Sequence, residues 1–348
     1  LFTYDADMEW DLGSPWYRPT RICHVVSGAD FGWRHGSGKW PAYYEDSLPA
    51  VVDIGPGSPT GVVSGAGLKF PTRFQNGLFA LDWTFGTIYS IDLKSMGAGY
   101  TGTAEPFVYS SPLPVTDAIV GHDGALYFAV GGRGAQSAVF RVRYVGGESC
   151  ASPAKPSLTK AQSRRRALEE YHGVINGDAV DDAWPELSSE DRFLRHAARV
   201  AIESQPIKNW ANRVLAEPNP QARITGAVAL ARMGDPIHQQ PLFDSLTSLS
   251  PEELSETQLL GLLRAYSLGM IRLGDLTKKQ REILLKELDP LFPNSSPDVN
   301  TELIRVLTFL RSETVARKAM ELIKNRKSPE IPKWSELISR NRRYGGSI

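Results

Sequence analysis

Between residues 1 and 147 the apolar positions fall into short, aromatic-rich runs separated by polar or glycine turns: residues 1–5, 21–26, 78–82, 87–91, 126–130 and 138–142. Residues 60–64 and 116–120 are two further runs of this kind, each placed to be the first strand of its group. Runs this short, repeating with glycine turns between them, predict β-strands rather than helices. A repeat of about 50 residues carrying three or four strands suits a propeller blade. Only two and a half such groups are present, whereas a closed propeller takes at least about four blades. The remaining blades of a six-bladed ring are therefore expected upstream of residue 1.

Past residue 158 the apolar period lengthens to that of an amphipathic helix. Phe193, Leu194, Ala197, Ala198, Val200 and Ala201 form one stripe, and Ile224, Ala227, Val228, Leu230 and Ala231 a second. Leu259, Leu260, Leu263, Tyr266 and Met270 form a third. Starts are marked by Ser189 to Arg192, a box-like sequence with Arg in place of Glu, by Asn219-Pro220, and by Ser250-Pro251. Gly234-Asp235-Pro236 is a stop. Further helices are expected at 277–288, 298–310 and 314–323. Helix pairs recurring near every 40 residues suggest HEAT-like repeats, with a generic helical bundle as the alternative. The expected class is thus multidomain β plus α: a partial β-propeller at 1–147, a Gly/Pro/Ser linker at 148–157, and a HEAT-like helical domain at 158–348.

Composition supports this division, since 22 of the 31 glycines and five of the eight tryptophans precede residue 151. Lys+Arg and Asp+Glu are both 39, so no long-range field attracts nucleic acid or an anionic membrane. No apolar run approaches the ~20 residues of a membrane span. Cys23 and Cys150 are expected to be free or unrelated, and no Cys-x-x-Cys-His is present to attach haem c.

Candidate chemistry concentrates near the start of the chain. Asp5, Asp7, Glu9 and Asp11 alternate just after a strand, a spacing that can turn several carboxylates toward a hard cation such as Ca²⁺; a solvated acidic turn paired with Arg18 and Arg21 is the plainer alternative. Trp10, Trp16 and Tyr17 flank this loop, and aromatics beside Arg18 and Arg21 can hold a sugar or planar anion by stacking and forked hydrogen bonds. His24, within an apolar strand, is expected to be a core histidine, and His122 a turn residue. A glycine- and aromatic-rich insertion carrying Trp33, Trp40 and Tyr43 stretches the first repeat to 77 positions against 48 for the next. Such insertions usually build the face that meets ligand or partner. Arg133 is expected on a tight turn, and the basic clusters at 164–166, 324–327 and 340–343 on solvated helix ends. No nucleophile elbow, zincin or Walker motif occurs, and the helical part offers no catalytic set.

The run from Asp5 through Trp10, Trp16 and Arg18 to Arg21, the Gly28-to-Arg34 turn and the Gly55-to-Gly61 turn resemble a large family of secreted multidomain proteins of planctomycete-type bacteria. In that family a glucose/sorbosone dehydrogenase-like propeller precedes HEAT-type helices and usually a cytochrome c module. The resemblance implies a periplasmic or secreted location and a quinoprotein-like sugar or alcohol dehydrogenase, in which the propeller face takes pyrroloquinoline quinone (PQQ) and a nearby Ca²⁺. Gly28, Phe31, Gly32 and Trp33 are similar to a cofactor-side turn of those enzymes, and Asp5 to Asp11 to their metal-side loop. The catalytic histidine of the class would lie upstream of this chain. The expected lysine is replaced by Trp83 to Gly86, and an expected Arg-x-Arg-Asp reads Pro114 to Asp117. Losing those cations weighs against a tricarboxylate quinone. Two functions follow: a dehydrogenase passing electrons to a cytochrome c module, with this chain inactive alone, or a non-catalytic propeller whose aromatic face binds carbohydrate or protein while the helices dock a partner.

Overall fold

The computed structural model describes residues 1–12, 14, 16–132, 134–154 and 157–325; Arg133 and the basic positions beyond Asn325 lie outside the described residues. The fold is mixed β and α. In chain order the strands are β1 (Phe2–Asp5), β2 (Thr20–His24), β3 (Gly32–Arg34), β4 (Gly38–Lys39), β5 (Val52–Gly55), β6 (Pro59–Ser64), β7 (Leu78–Asp82), β8 (Thr87–Met96), β9 (Gly99–Tyr109), β10 (Val115–Val120), β11 (Leu126–Gly132) and β12 (Ala135–Val142). They form four antiparallel sheets: β1-β2-β5, the two-stranded β3-β4, β6-β7-β8-β9 and β10-β11-β12. The one-turn helix α1 (Thr72–Gln75) lies between β6 and β7.

The three larger sheets stack in chain order, and β7 shows why. Its alternating side chains all find apolar partners: Leu78 and Ala80 pack toward Tyr4, Ile22, Val51 and Ile54 of the first sheet, while Phe79 and Leu81 pack toward Val115, Leu126, Phe128 and Val130 of the last. A strand covered on both faces reads as a continuous apolar run rather than an alternating one. The strand β6 lies close to β1 on one side and β10 on the other.

The helices follow: α2 (Lys160–Glu169), α3 (Ala179–Ala183), α4 (Arg192–Glu203), α5 (Ala211–Leu215), α6 (Pro220–Met233), α7 (Gln239–Thr247), α8 (Glu256–Arg272), α9 (Lys278–Leu288), α10 (Pro297–Phe309) and α11 (Val315–Lys324). Their starts follow local capping chemistry. Asn219 accepts from the Ala222 amide, and Thr277 forms a capping box with Gln280. Asp191, rather than Ser189, caps α4 by accepting from Phe193 and Leu194. The expected long helix from Ser250 begins later: Pro251–Glu253 is a single 3-10 turn, and Ser255 caps α8 through a box with Gln258. Ser255-x-x-Gln258 satisfies two orphan amides reciprocally, which Ser250 does not do here.

Alternate helices α2, α4, α6, α8 and α10 lie against one another in that order. Among the described residues no helix is long and apolar enough to cross a membrane. The strands and helices meet along one continuous apolar cluster in which Val26, Leu48 and Ala98 pack with residues of α2, α4, α6 and α8.

Candidate functional site

The insertion between β2 and β5 does two jobs. Its first half makes the β3-β4 ribbon, where Gly32 is obligatory: its φ is +98°, and a Cβ there would lie 2.6 Å from the Trp40 amide nitrogen and 2.7 Å from the Gly38 carbonyl oxygen. Trp33 follows at φ +58°, an uncommon conformation for an aromatic residue. It remains 44 % exposed while its Nε1 donates to Asp5 Oδ1 at 2.8 Å.

The second half, Tyr43 to Leu48, runs into the helices and is gripped by charge. Glu45 accepts from Arg195 of α4 at 2.8 Å and from Thr225 of α6 at 3.0 Å. Asp46 receives two hydrogen bonds of 2.8 Å from Arg264 of α8 and lies 3.4 Å from Arg232 of α6. Tyr43 donates to Glu302 of α10 at 2.8 Å, and Arg305 donates to Tyr44 at 3.0 Å. Burial works to raise the Glu45 carboxyl, but Arg192 and Arg195 outweigh it and hold the group below its ordinary value. The same contest at Asp46 is won by Arg264, with Arg199 and Arg232 behind it.

Two adjoining cavities open where this insertion meets the helices. The outer recess, about 720 Å³, is bordered by Asp11, Trp16, Trp33, Arg34, His35 and Lys39. The inner cavity, about 380 Å³, lies between Trp40 and Tyr44 on one side and Arg264, Met270, Glu302 and Phe309 on the other. Arg18, Gly36, Ser37 and Arg305 line both.

Of the residues singled out from sequence, Trp16, Arg18, Trp33 and Asp11 come together in the recess, and Trp40 and Arg18 in the inner cavity. Trp16 is 62 % exposed there. Trp10 is 76 % exposed but borders neither space. Tyr17 turns inward, donating to Asp7 Oδ2 at 2.6 Å and packing against Leu12 and Phe85. Arg21 is buried beneath the recess; its Nε donates to Asp5 at 2.9 Å, and its Nη2 has no partner. Glu9 and Asp11 form a short 3-10 turn.

The acidic loop therefore disperses its carboxylates. Asp5 is held by Arg21, Lys39 at 3.5 Å and Trp33. Among the described residues no three His, Cys, Asp or Glu side chains gather as cation ligands. A Ca²⁺ ion prefers six to eight oxygens, and here it would compete with two cations for Asp5. The cations at the recess are also mostly matched: Arg34 with Asp30, Lys39 with Asp5 and Arg305 with Glu302. Burial pushes the Lys39 ammonium down to about 8 despite Asp5. Such a set suits one anionic group, not the three carboxylates of PQQ.

Sequence reasoning missed Arg34, His35, Lys39, Tyr44, Arg264, Glu302, Arg305 and Phe309. The first four stand beside Trp33, Trp40 and Tyr43 in the chain and had a local signal in the aromatic insertion. The last four are brought in by helices more than 200 positions away, and no local pattern announces them. The chain matches no protein-family model, no curated protein and no solved structure.

Proposed function

We propose that the chain binds carbohydrate in the recess between the β3-β4 ribbon and the helices, and that its three larger sheets are neighbouring blades of a propeller carried on HEAT-like helix pairs. The observation that carries the binding proposal is the recess wall itself: Trp16 and Trp33 stay exposed beside a polar floor of Arg18, Arg34 and Ser37. Aromatic faces stack on the apolar faces of sugar rings while arginine and hydroxyl groups meet the hydroxyls. For the propeller, the supports are the consecutive antiparallel sheets and the closeness of β6 to both β1 and β10, as the innermost strands of adjacent blades would lie.

The dehydrogenase reading asks for a base held against the sugar. His35 is the one histidine at the recess among the described residues, and no side chain orients it. General-base catalysis needs such a positioned group, and that reading places it before residue 1; what the recess itself supplies is the aromatic wall, which supports binding. The test is titration of intrinsic tryptophan fluorescence and calorimetry with a panel of neutral and acidic oligosaccharides, on wild type and Trp16→Ala. Saturable binding weakened about tenfold in the variant is expected, the worth of one stacking ring. Absence of saturable binding across the panel overturns the proposal. Dye reduction with PQQ, Ca²⁺ and a sugar would replace binding by turnover.

A further inference from the structure

We propose that the junction of the two cavities is an anion subsite, in which Arg18 and Arg305 receive the carboxylate or sulfate ester of an acidic sugar. This rests on the carbohydrate reading of the recess and narrows its ligand class. At this one place arginines outnumber carboxylates. The side chains facing the inner cavity include three arginines, Arg18, Arg264 and Arg305, and one carboxylate, Glu302. Arg264 is neutralised by Asp46 through paired hydrogen bonds of 2.8 Å. Arg305 is matched by Glu302 at 2.7 Å. Arg18 is left over.

Its Nη1 donates to the Lys39 carbonyl at 2.8 Å, which fixes the guanidinium plane without giving it an ion-pair partner. Among the described residues no carboxylate lies within ion-pair distance of it. Glu302 is too committed to serve, since it already accepts from Tyr43, Tyr44 and Arg305. Burial pushes the Arg18 guanidinium below its ordinary value and the nearby Arg305 pushes the same way, outweighing the opposing pull of Tyr43, Tyr44 and Glu302. An unmatched, half-buried arginine next to a second one costs free energy that an entering anion recovers. The Arg305 side chain is half exposed, so donors remain to complete a two-arginine clamp. Gly36 and Ser37, which line the same junction, leave it open beside Trp33.

An acidic saccharide fits both halves: its ring stacks in the recess and its charged substituent reaches the junction. Uronate and sulfate ester share the chemistry that matters here, and separate arms tell them apart. The experiment is calorimetric titration of the full chain with trigalacturonate, with galactotriose as the neutral match, and with a 6-sulfated galactose trisaccharide. At least one acidic probe is expected to bind about tenfold or more tighter than galactotriose, with an affinity that falls as NaCl is raised. Arg18→Gln should remove about tenfold of the acidic affinity and cost galactotriose far less, since a neutral sugar loses one hydroxyl contact and no ion pair; Arg18→Lys, which keeps charge but loses the planar fork, should fall between on the acidic probe. Thermal melting of each variant checks folding, and Arg305→Gln is the second variant if Arg18→Gln melts early. Equal affinity for charged and neutral probes, with Arg18→Gln changing both alike or neither, overturns the anion subsite while the carbohydrate recess stands. Binding of none of the three probes overturns both.

Discussion

His24 stands in β2 among the rings of Phe2, Tyr100 and Phe193, at centroid distances of 5.2, 4.9 and 5.5 Å, and its Nδ1 has no partner. Burial, reinforced by Arg165, pushes the imidazole down to about 4. The unfolded chain takes the proton near 6.5 and the folded one near 4, so this residue's contribution to stability is present above pH 6.5 and is lost as pH falls toward 4. Glu287 has the opposite sign. Burial pushes its carboxyl up to about 7, although the Tyr266 hydroxyl, donating at 2.9 Å, works against that. Its contribution is present below about 4.5 and is lost as pH rises through 7. The two windows overlap and oppose, so the wild-type curve of melting temperature against pH is flattened between 4.5 and 6.5. His24→Phe should remove the acid-side loss. Glu287→Gln, which keeps an acceptor for Tyr266, should raise stability above pH 7 by on the order of 1 kcal/mol. Identical pH curves for variant and wild type would contradict either assignment. At this scale the sequence was partly legible. A histidine in an apolar run announces burial, but its packing by rings from β1, β9 and α4 depends on the tertiary fold. Arg18 and Arg21, three positions apart in the chain, look alike in sequence and differ entirely in place: Arg21 is buried on Asp5, and Arg18 stands without an ion pair at a cavity mouth.

Among elements, the insertion between β2 and β5 carries most of the contact between strands and helices. Asp46 is fully buried and joins α8 to α6 through Arg264 and Arg232. Removing one partner of a buried, hydrogen-bonded pair leaves the other charge stranded, which costs about 3–5 kcal/mol. Asp46→Asn should therefore lower stability by several kcal/mol in a denaturant titration, and Asp46→Asn with Arg264→Met should recover part of it; additive losses would mean that the two side chains are not coupled. A second joint lies at the β8-β9 turn, where Asp191 caps α4 and accepts from the Ala98 amide at 2.6 Å. A Cβ on Gly99 would come within 2.4 Å of the Phe193 ring, so Gly99→Ala should destabilise by forcing β9 away from α4, and Asp191→Ala should cost about 1–3 kcal/mol from the lost cap and the stranded amide. Element existence was legible wherever a short-range rule governs: β7 from its apolar run, α6 from its cap. β9 was not, because it contains Gly99, Gly102, Thr101, Thr103 and Pro106 and lacks the alternation of a half-buried strand. It exists by pairing with β8 along its length. The insertion was read as a ligand face, and its ribbon does border the recess, but Tyr43 to Leu48 serve as the joint to the helices. Acidic residues that follow a tyrosine pair, as Glu45 and Asp46 do, look like surface until Arg195, Arg232 and Arg264 of the helices are in place.

At the scale of the whole chain, these joints bear on how it unfolds. Composition changes sharply near residue 150, and a chain of this length ordinarily divides into two cores. Yet Val26, Leu48 and Ala98 belong to the same apolar cluster as Leu168, Phe193, Ala197 and Leu230, and the ion pairs of Glu45 and Asp46 run through the same seam. Interfaces between independent domains ordinarily leave the partners free to move and melt separately. A buried seam that includes paired charges favours coupled melting, because opening it strands those charges on both sides. The two halves report through different signals. Five of the eight tryptophans precede residue 151, so fluorescence follows chiefly the strands, whereas ellipticity at 222 nm follows the helices. In urea the two signals should share one midpoint, and calorimetry should give one endotherm. Asp46→Asn should shift both midpoints down together. A fluorescence transition well separated from the ellipticity transition would show that the seam is a contact between two independently stable cores. The recess would then be mobile, since Trp16, Trp33 and Arg18 lie on the strand side and Arg305 on the helical side, and ligand binding should draw the two transitions together.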